Sequence, residues 1–224
     1  HMMNSTKGLR SEAMIHSENV TILSDLDGVL LDSWPGLKDT YVRLCLELEV
    51  APLFEEFRNL VGKDLESIFK ALHSDLPLAK TCSRFRSLSQ DSPIEMRPFR
   101  GAQRFIASLL ELTPNVAYLT SKDEGRARKA LEGLGFPRLP IFSPTKTLRA
   151  KPAPDLFIAA GALFGRGRQL YFGDTSWDQK AARSASAEFI FCDWGYGSPD
   201  MEAPPITKSD FESALAAASS FAKA

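Results

Sequence analysis

Apolar residues in this chain fall into two kinds of run. Short, nearly unbroken ones span Val20 to Ser24, Val116 to Leu119, Leu170 to Gly173 and Phe189 to Cys192. Each is bounded by turn residues and too short for a helix, which predicts buried strands. Between them lie stretches with apolar residues three or four apart. Ser121-Lys122-Asp123-Glu124 has capping-box form, and Gly133 and Gly135 sit near the expected helix stop. Pro154 opens a helix through Leu156, Phe157, Ala160 and Phe164. Ser176 to Gln179 predicts another capping box, with a helix to about Ser184. Ser209 to Glu212 caps a last helix bearing Phe211, Leu215 and Ala218 on one face. Such strand–helix alternation predicts the α/β class, a parallel sheet with helices on both faces.

One stretch breaks the alternation. Between Trp34 and about Pro98 no strand pattern occurs. Leu37, Tyr41, Leu44 and Leu48 recur at helical spacing, followed by Phe54, Phe57 and Val61, then Leu65, Ile68, Phe69 and Leu72, then a helix from about Leu78 to Leu88. The spacing predicts an all-helical domain over residues 34–98, inserted into a core made of 19–33 and 99–224. Residues 1–18 are set apart. His1-Met2 reads as a cloning scar, and Asn4 to Glu18 is polar, without the apolar centre of a signal peptide.

Composition narrows the function more than the fold. Among 224 residues, 27 basic against 28 acidic side chains leave a charge of -1, so no strong field favours nucleic acid or an anionic membrane. No apolar run approaches the ~18 residues needed to span a bilayer. Cys45, Cys82 and Cys192 are far apart, with no C-x-x-C pair, which fits a reducing cytoplasmic setting. Outside the scar only His16 and His73 remain, neither in a triad or zinc context. Proton transfer therefore falls to carboxylates or lysine.

The chemistry-bearing residues lie beyond strand ends. Asp25 and Asp27 follow the first strand, at the sheet edge where open α/β folds bind ligands. Positions two apart in extended chain face the same way, and Gly28 lets the backbone turn tightly. Two adjacent carboxylates need a cation or a proton between them, and hard oxygen donors suit Mg²⁺. Asp174 and Asp178 follow another strand. Asp178 falls in a first helical turn, where the helix dipole alone accounts for a carboxylate. Thr120 and Ser121 follow a third strand, where a hydroxyl and free N–H groups can cradle phosphate. Lys151 precedes Pro152-Ala153-Pro154, which restricts its position beside an acidic site.

Four segments in order resemble the motifs of the haloacid dehalogenase superfamily. They are Asp25-Leu26-Asp27-Gly28-Val29-Leu30, Leu119-Thr120-Ser121, Lys151-Pro152-Ala153-Pro154-Asp155 and Gly173-Asp174-Thr175-Ser176-Trp177-Asp178. The helical insertion is similar to the cap of the subgroup containing phosphoglycolate phosphatases and β-phosphoglucomutases. The resemblance implies a Rossmann-like core and a Mg²⁺-dependent phosphatase acting on a small phosphorylated metabolite. It makes Asp25 the nucleophile and Asp27 the general acid and base. Thr120, Ser121 and Lys151 bind the phosphoryl group, and Asp178 orients Lys151 or a metal-bound water. The metal falls to Asp25, Asp174 and the Asp27 backbone carbonyl.

Other positions separate readings within the superfamily. Asp27 argues for phosphate esters, since a leaving alkoxide needs a proton and a halide does not. Val29 is shared with some mutases, whereas Trp194-Gly195-Tyr196-Gly197 resembles a phosphatase stretch, so a sugar phosphomutase stays as an alternative. A non-catalytic binding protein is a third reading, set against a complete motif set. Lys63, in the cap's Val61-Gly62-Lys63, is a candidate contact to a carboxylate or second phosphate, or else a solvated lysine. Arg100 stands where the subgroup often has proline. It is a candidate anion contact or a surface ion pair. Trp34 and Trp194 line the entrance or pack internally. No nucleic-acid or membrane partner is expected, and the oligomer is a monomer or homodimer.

Overall fold

A computed structural model describes residues 20–224, so the expectation for residues 1–18 lies outside the described part. Six strands form one parallel sheet: β1 (Val20–Ser24), β4 (Val116–Leu119), β5 (Ile141–Phe142), β6 (Arg168–Gly173), β7 (Glu188–Cys192) and β8 (Ile206–Lys208), in the order β5-β4-β1-β6-β7-β8. The first strand, buried throughout, is thus central, with Ile22 registered against both Val116 and Leu170.

Side chains alternate along these strands and both sheet faces are covered. Ile22, Tyr118, Leu170, Phe172 and Ile190 pack on one face against α5 (Ala102–Leu112), α6 (Glu124–Gly133) and α9 (Phe211–Lys223). Leu23, Ala117, Leu119 and Tyr171 pack on the other against α7 (Asp155–Phe164) and α8 (Ser176–Ser184).

The segment between β1 and α5 contains α1 (Trp34–Glu47), α2 (Phe54–Leu60), α3 (Leu65–Leu72) and α4 (Leu78–Gln90). It has its own apolar cluster, centred on Tyr41, which stacks on Phe57 at 4.2 Å. Tyr196 from the core joins this cluster. The insertion enters and leaves through an antiparallel pair, β2 (Leu31–Asp32) and β3 (Arg97–Pro98). That pair corrects the reading of 34–98 as free of strand. Two residues are too few for a period, and Pro98 is tolerated on an edge. The periodicity likewise gave no sign of the short edge strands β5 and β8.

Three helix starts differ from the expectation. Asp123, not Ser121, caps α6, its carboxylate accepting from Arg126 N. The capping box of α8 is Thr175 with Asp178, one residue earlier than predicted. Asp210 rather than Ser209 caps α9. In each case a neighbouring polar residue offered an equivalent cap. At α6 the reason is visible, since Ser121 Oγ donates instead to Gly62 O in the insertion, 2.5 Å away.

Phe172 is fully buried and meets the Phe105 ring edge-on at 5.2 Å. Phe172→Ala should lower the unfolding free energy by about 3–5 kcal/mol. Urea titration checks this, and a loss below about 1 kcal/mol would show that the site is not tightly packed.

Candidate active site

The strand ends of β1, β4 and β6 converge on a buried ionic cluster. Asp25 follows β1 directly, and its N–H donates to Phe172 O on β6, 2.9 Å away. Leu26 N donates to Asp25 Oδ1 at 2.7 Å, and Lys151 Nζ donates to Oδ2 at 2.7 Å. Lys151 also donates to Asp178 Oδ1 (2.6 Å) and to Tyr171 OH (3.1 Å). Tyr171 in turn donates to Asp178 Oδ1 at 2.7 Å. The other Asp178 oxygen accepts from Thr175 N (2.9 Å) and Thr175 Oγ1 (2.6 Å).

Lys151 is 1% exposed. Burial alone would strip its proton, but Asp178 and Asp25 outweigh that and hold it charged, above its ordinary pKa. Burial pushes Asp178 up, yet Lys151 and the hydrogen bonds from Thr175 and Tyr171 bring it below the usual carboxylate range. A buried ion pair of this kind is tolerated only when its remaining polar atoms are satisfied. Here the capping box, Tyr171 and Lys151 satisfy Asp178.

Asp174 is the contrast. Its Oδ2 accepts from Tyr196 N (3.1 Å) and Gly197 N (3.2 Å), while its buried Oδ1 has no partner among the described residues. Three glycines crowd around it. A Cβ on Gly28 would strike the Asp174 carboxylate, one on Gly195 its side chain, and one on Gly197 its carbonyl. Gly28 also has φ +84, a backbone that glycine adopts freely. Burial, then Asp178 and Asp25, push Asp174 well above the usual carboxylate pKa. Burial likewise raises Asp25 to about 7 against the opposing pull of Lys151.

These observations fit a divalent cation. Carboxylate oxygens of Asp25, Asp174 and Asp178 lie within 4.8 Å of one another. Ionised together, three carboxylates against the single ammonium of Lys151 would leave two negative charges in a buried space, and without a cation Asp25 and Asp174 hold protons instead. The donors are all hard oxygens, which suit Mg²⁺. Asp178 has spent both oxygens on Lys151, Tyr171 and Thr175, so the available side chains are Asp25 and Asp174, with Asp174 Oδ1 the free donor.

Asp27 points elsewhere. Its Oδ1 accepts from Lys122 Nζ at 2.8 Å. Burial raises its pKa, but Lys122 and a hydrogen bond from Ser33 prevail and hold it below the ordinary value. Thr120 is buried, and its Oγ1 accepts from Lys122 N at 3.2 Å. Asp25, Asp27, Thr120, Ser121, Lys122 and Lys151 line one side of a cavity of about 80 Å³, with Leu37, Phe57, Val61, Ile68 and Phe85 of the insertion opposite. The insertion is drawn down onto the core. Besides the Ser121 contact, Trp177 Nε1 donates to Asn59 O (3.0 Å) and Arg58 Nε to Tyr196 O (2.8 Å).

A family model described as haloacid dehalogenase-like hydrolase matches residues 22–192. The chain belongs to this family. Curated relatives of this HAD-like hydrolase include the phosphoglycolate phosphatase of Rhodospirillum rubrum, 26% identical over 78% of this chain and 80% of that protein. That of Mesorhizobium japonicum is 28% identical over 78% and 83%. Among solved structures, a haloacid dehalogenase-like hydrolase of Streptococcus pneumoniae superposes with TM-score 0.74, 24% identity, and coverage of 89% of this chain and 98% of that one. A HAD hydrolase of Entamoeba histolytica gives TM-score 0.74 at 18% identity, covering 91% and 99%. At such identities the structural likeness speaks for the fold.

In this HAD-like hydrolase, Asp25, Asp27, Thr120, Lys151, Asp174 and Asp178 are gathered in one place. Ser121 and Lys63 reach the cavity rim. Arg100 does not. It is exposed and borders a separate cavity with Arg104, Trp194 and Phe211, because Phe99 N is tied to Leu30 O and the chain then turns away into α5. Trp34 packs on Phe57 and Tyr196, and Trp194 on Phe211. Neither tryptophan lines the cavity. Lys122, Tyr171 and Thr175 were missed. Lys122 stands two residues after Thr120, in a bend where Lys122 N donates to Thr120 Oγ1. Thr175-Ser176-Trp177-Asp178 is itself a T-x-x-D cap pattern. A buried tyrosine on a strand gives no such signal.

The raised carboxyls fix a pH dependence. Asp25 and Asp174 hold their protons more tightly folded than unfolded, so without metal they stabilise the fold at low pH and lose that contribution as pH rises, Asp25 through about 7. Chelator-treated protein should therefore melt at lower temperature at pH 8 than at pH 5, and Mg²⁺ should restore more at pH 8. Thermal scans test this. A melting point that rises across the interval without metal contradicts the assignment.

Proposed function

We propose that this chain is a Mg²⁺-dependent phosphatase that hydrolyses a small phosphomonoester, with phosphoglycolate the leading candidate, through an aspartyl phosphate on Asp25. The observation that carries the reading is the pair Asp25 and Asp27 at one cavity. Asp25 is backed by the buried Lys151, and Asp27 is held apart from it by Lys122.

The steps follow from those positions. An Asp25 oxygen attacks phosphorus and the ester P–O bond breaks. Asp27 delivers a proton to the departing oxygen. In the second half Asp27 takes a proton from water, which attacks phosphorus and releases phosphate and Asp25. Thr120, Ser121 and Lys151 neutralise the transferring group, the dominant requirement of such chemistry. Mg²⁺ held by Asp25, Asp174 and the Asp27 carbonyl would supply further charge stabilisation at the phosphoryl oxygens. The helical insertion, residues 34–98, serves as a cap that excludes water and completes the specificity surface.

The relatives named above are phosphatases, which supports hydrolysis over isomerisation. Val29, the position shared with some mutases, is fully buried in the sheet-side core. Its identity therefore answers to packing. Among the described residues no helix is long and apolar enough to cross a membrane.

Asp25→Asn should abolish Mg²⁺-dependent hydrolysis of p-nitrophenyl phosphate, by about 10³-fold or more, with an unchanged circular dichroism spectrum. Near-normal turnover by that variant would defeat the nucleophile assignment. A screen of phosphorylated metabolites with free-phosphate detection separates the enzyme classes, since isomer formation from β-glucose 1-phosphate without phosphate release would favour the mutase.

A further inference from the structure

Lys122 has no task in the reaction above, yet its placement is unusual. Its side chain is 10% exposed and its Nζ rests on Asp27, a group that must face the leaving oxygen. The phosphoryl end of the cavity already has its ammonium in Lys151. The opposite wall carries Leu37, Phe57, Val61, Leu65, Ile68 and Phe85, with Lys63 its one charged residue. An uncharged leaving group would need only that wall, and a lysine beside it would bring a desolvation cost for nothing.

Two other cations approach the same space, and each is engaged. Lys63 Nζ lies 4.4 Å from the centroid of the Trp177 ring, a cation–π contact joining the insertion to the core. Arg126 donates to Ser89 Oγ at 2.9 Å, again between core and insertion. Lys122 alone among the three is paired with a residue of the reaction itself.

Resting on the phosphatase reading, we propose that Lys122 is the specificity residue for a second anionic group on the substrate. It exchanges the Asp27 carboxylate for a carboxylate on the leaving group. The exchange conserves charge at Lys122, since one oxygen anion replaces another. It also turns Asp27 Oδ1 loose toward the ester oxygen. The pairing of Lys122 with Asp27 limits the distance between the two anions, because a group on Lys122 Nζ lies one hydrogen bond from the acid that meets the ester oxygen. One or two carbons bridge that distance. The substrate class is therefore a short phosphorylated hydroxy acid.

The test compares kcat/KM for 2-phosphoglycolate with that for 2-hydroxyethyl phosphate, a partner of the same length with an uncharged end. It uses wild type, Lys122→Met, Lys122→Arg and Lys63→Ala. Wild type should prefer the carboxylate ester by about tenfold or more. Lys122→Met should bring the ratio close to one, Lys122→Arg should recover part of it, and Lys63→Ala should keep it. Both rates come from one preparation, so partial misfolding leaves the ratio unmoved. If Lys122→Met is inactive on both esters, the same ratio is read from dissociation constants in the Asp25→Asn background. Turnover of both esters with a ratio unchanged in Lys122→Met, or lost in Lys63→Ala instead, overturns the inference and leaves the phosphatase reading standing. Turnover of neither ester by wild type overturns both.

Discussion

The site is organised around one ammonium group. Lys151 Nζ, without exposure to water, ties Asp25 at the end of β1 to Asp178 in the first turn of α8, and meets Tyr171 on β6. Removing Lys151 would strand Asp178 in a place that cannot solvate its charge. The capping box of α8 then has two roles. It starts the helix, and it fixes the Asp178 oxygens so that one is always available to Lys151.

The same cluster explains why the acids have different fates. Asp178 and Asp27 each have a lysine within 3 Å and sit below their ordinary pKa. Asp174 has no ion-pair partner among the described residues and sits far above. Asp25 lies between, shared by Lys151 and by the empty side of Asp174. Four aspartates within one site thus acquire separate electrostatic identities from their neighbours, as separate chemical roles require.

Much of this was legible in the chain. The central strands declared themselves because both faces are buried, giving unbroken apolar runs bounded by turns. Asp25, Asp27, Asp174 and Thr120 could be placed because each follows such a run. What stayed hidden had physical reasons. The strands β2, β3, β5 and β8 have two or three residues each, too short for any period. The cap residues at α6 and α9 were displaced by one or two positions, because serine and aspartate compete there on equal terms. Tyr171 reads as an apolar strand residue until its hydroxyl is seen against Asp178. Lys122 read as part of a helix start, and only the tertiary fold turns it toward Asp27. Arg100 was placed near the site because it stands where the resembling subgroup often has proline, and the turn before α5 carried it away.

The crowding of Gly28, Gly195 and Gly197 against Asp174 bears on how such a protein can diversify. Two loops from different strands have closed on one residue so tightly that no side chain fits at any of the three positions. Mutation has almost no neutral path there. The insertion opposite offers a broad apolar wall in which volume-conserving swaps are cheap. Variation is thereby channelled to the side of the cavity that meets the leaving group, while the side that meets phosphate is locked by sterics. A scaffold divided in this way can change what it accepts without endangering how it reacts.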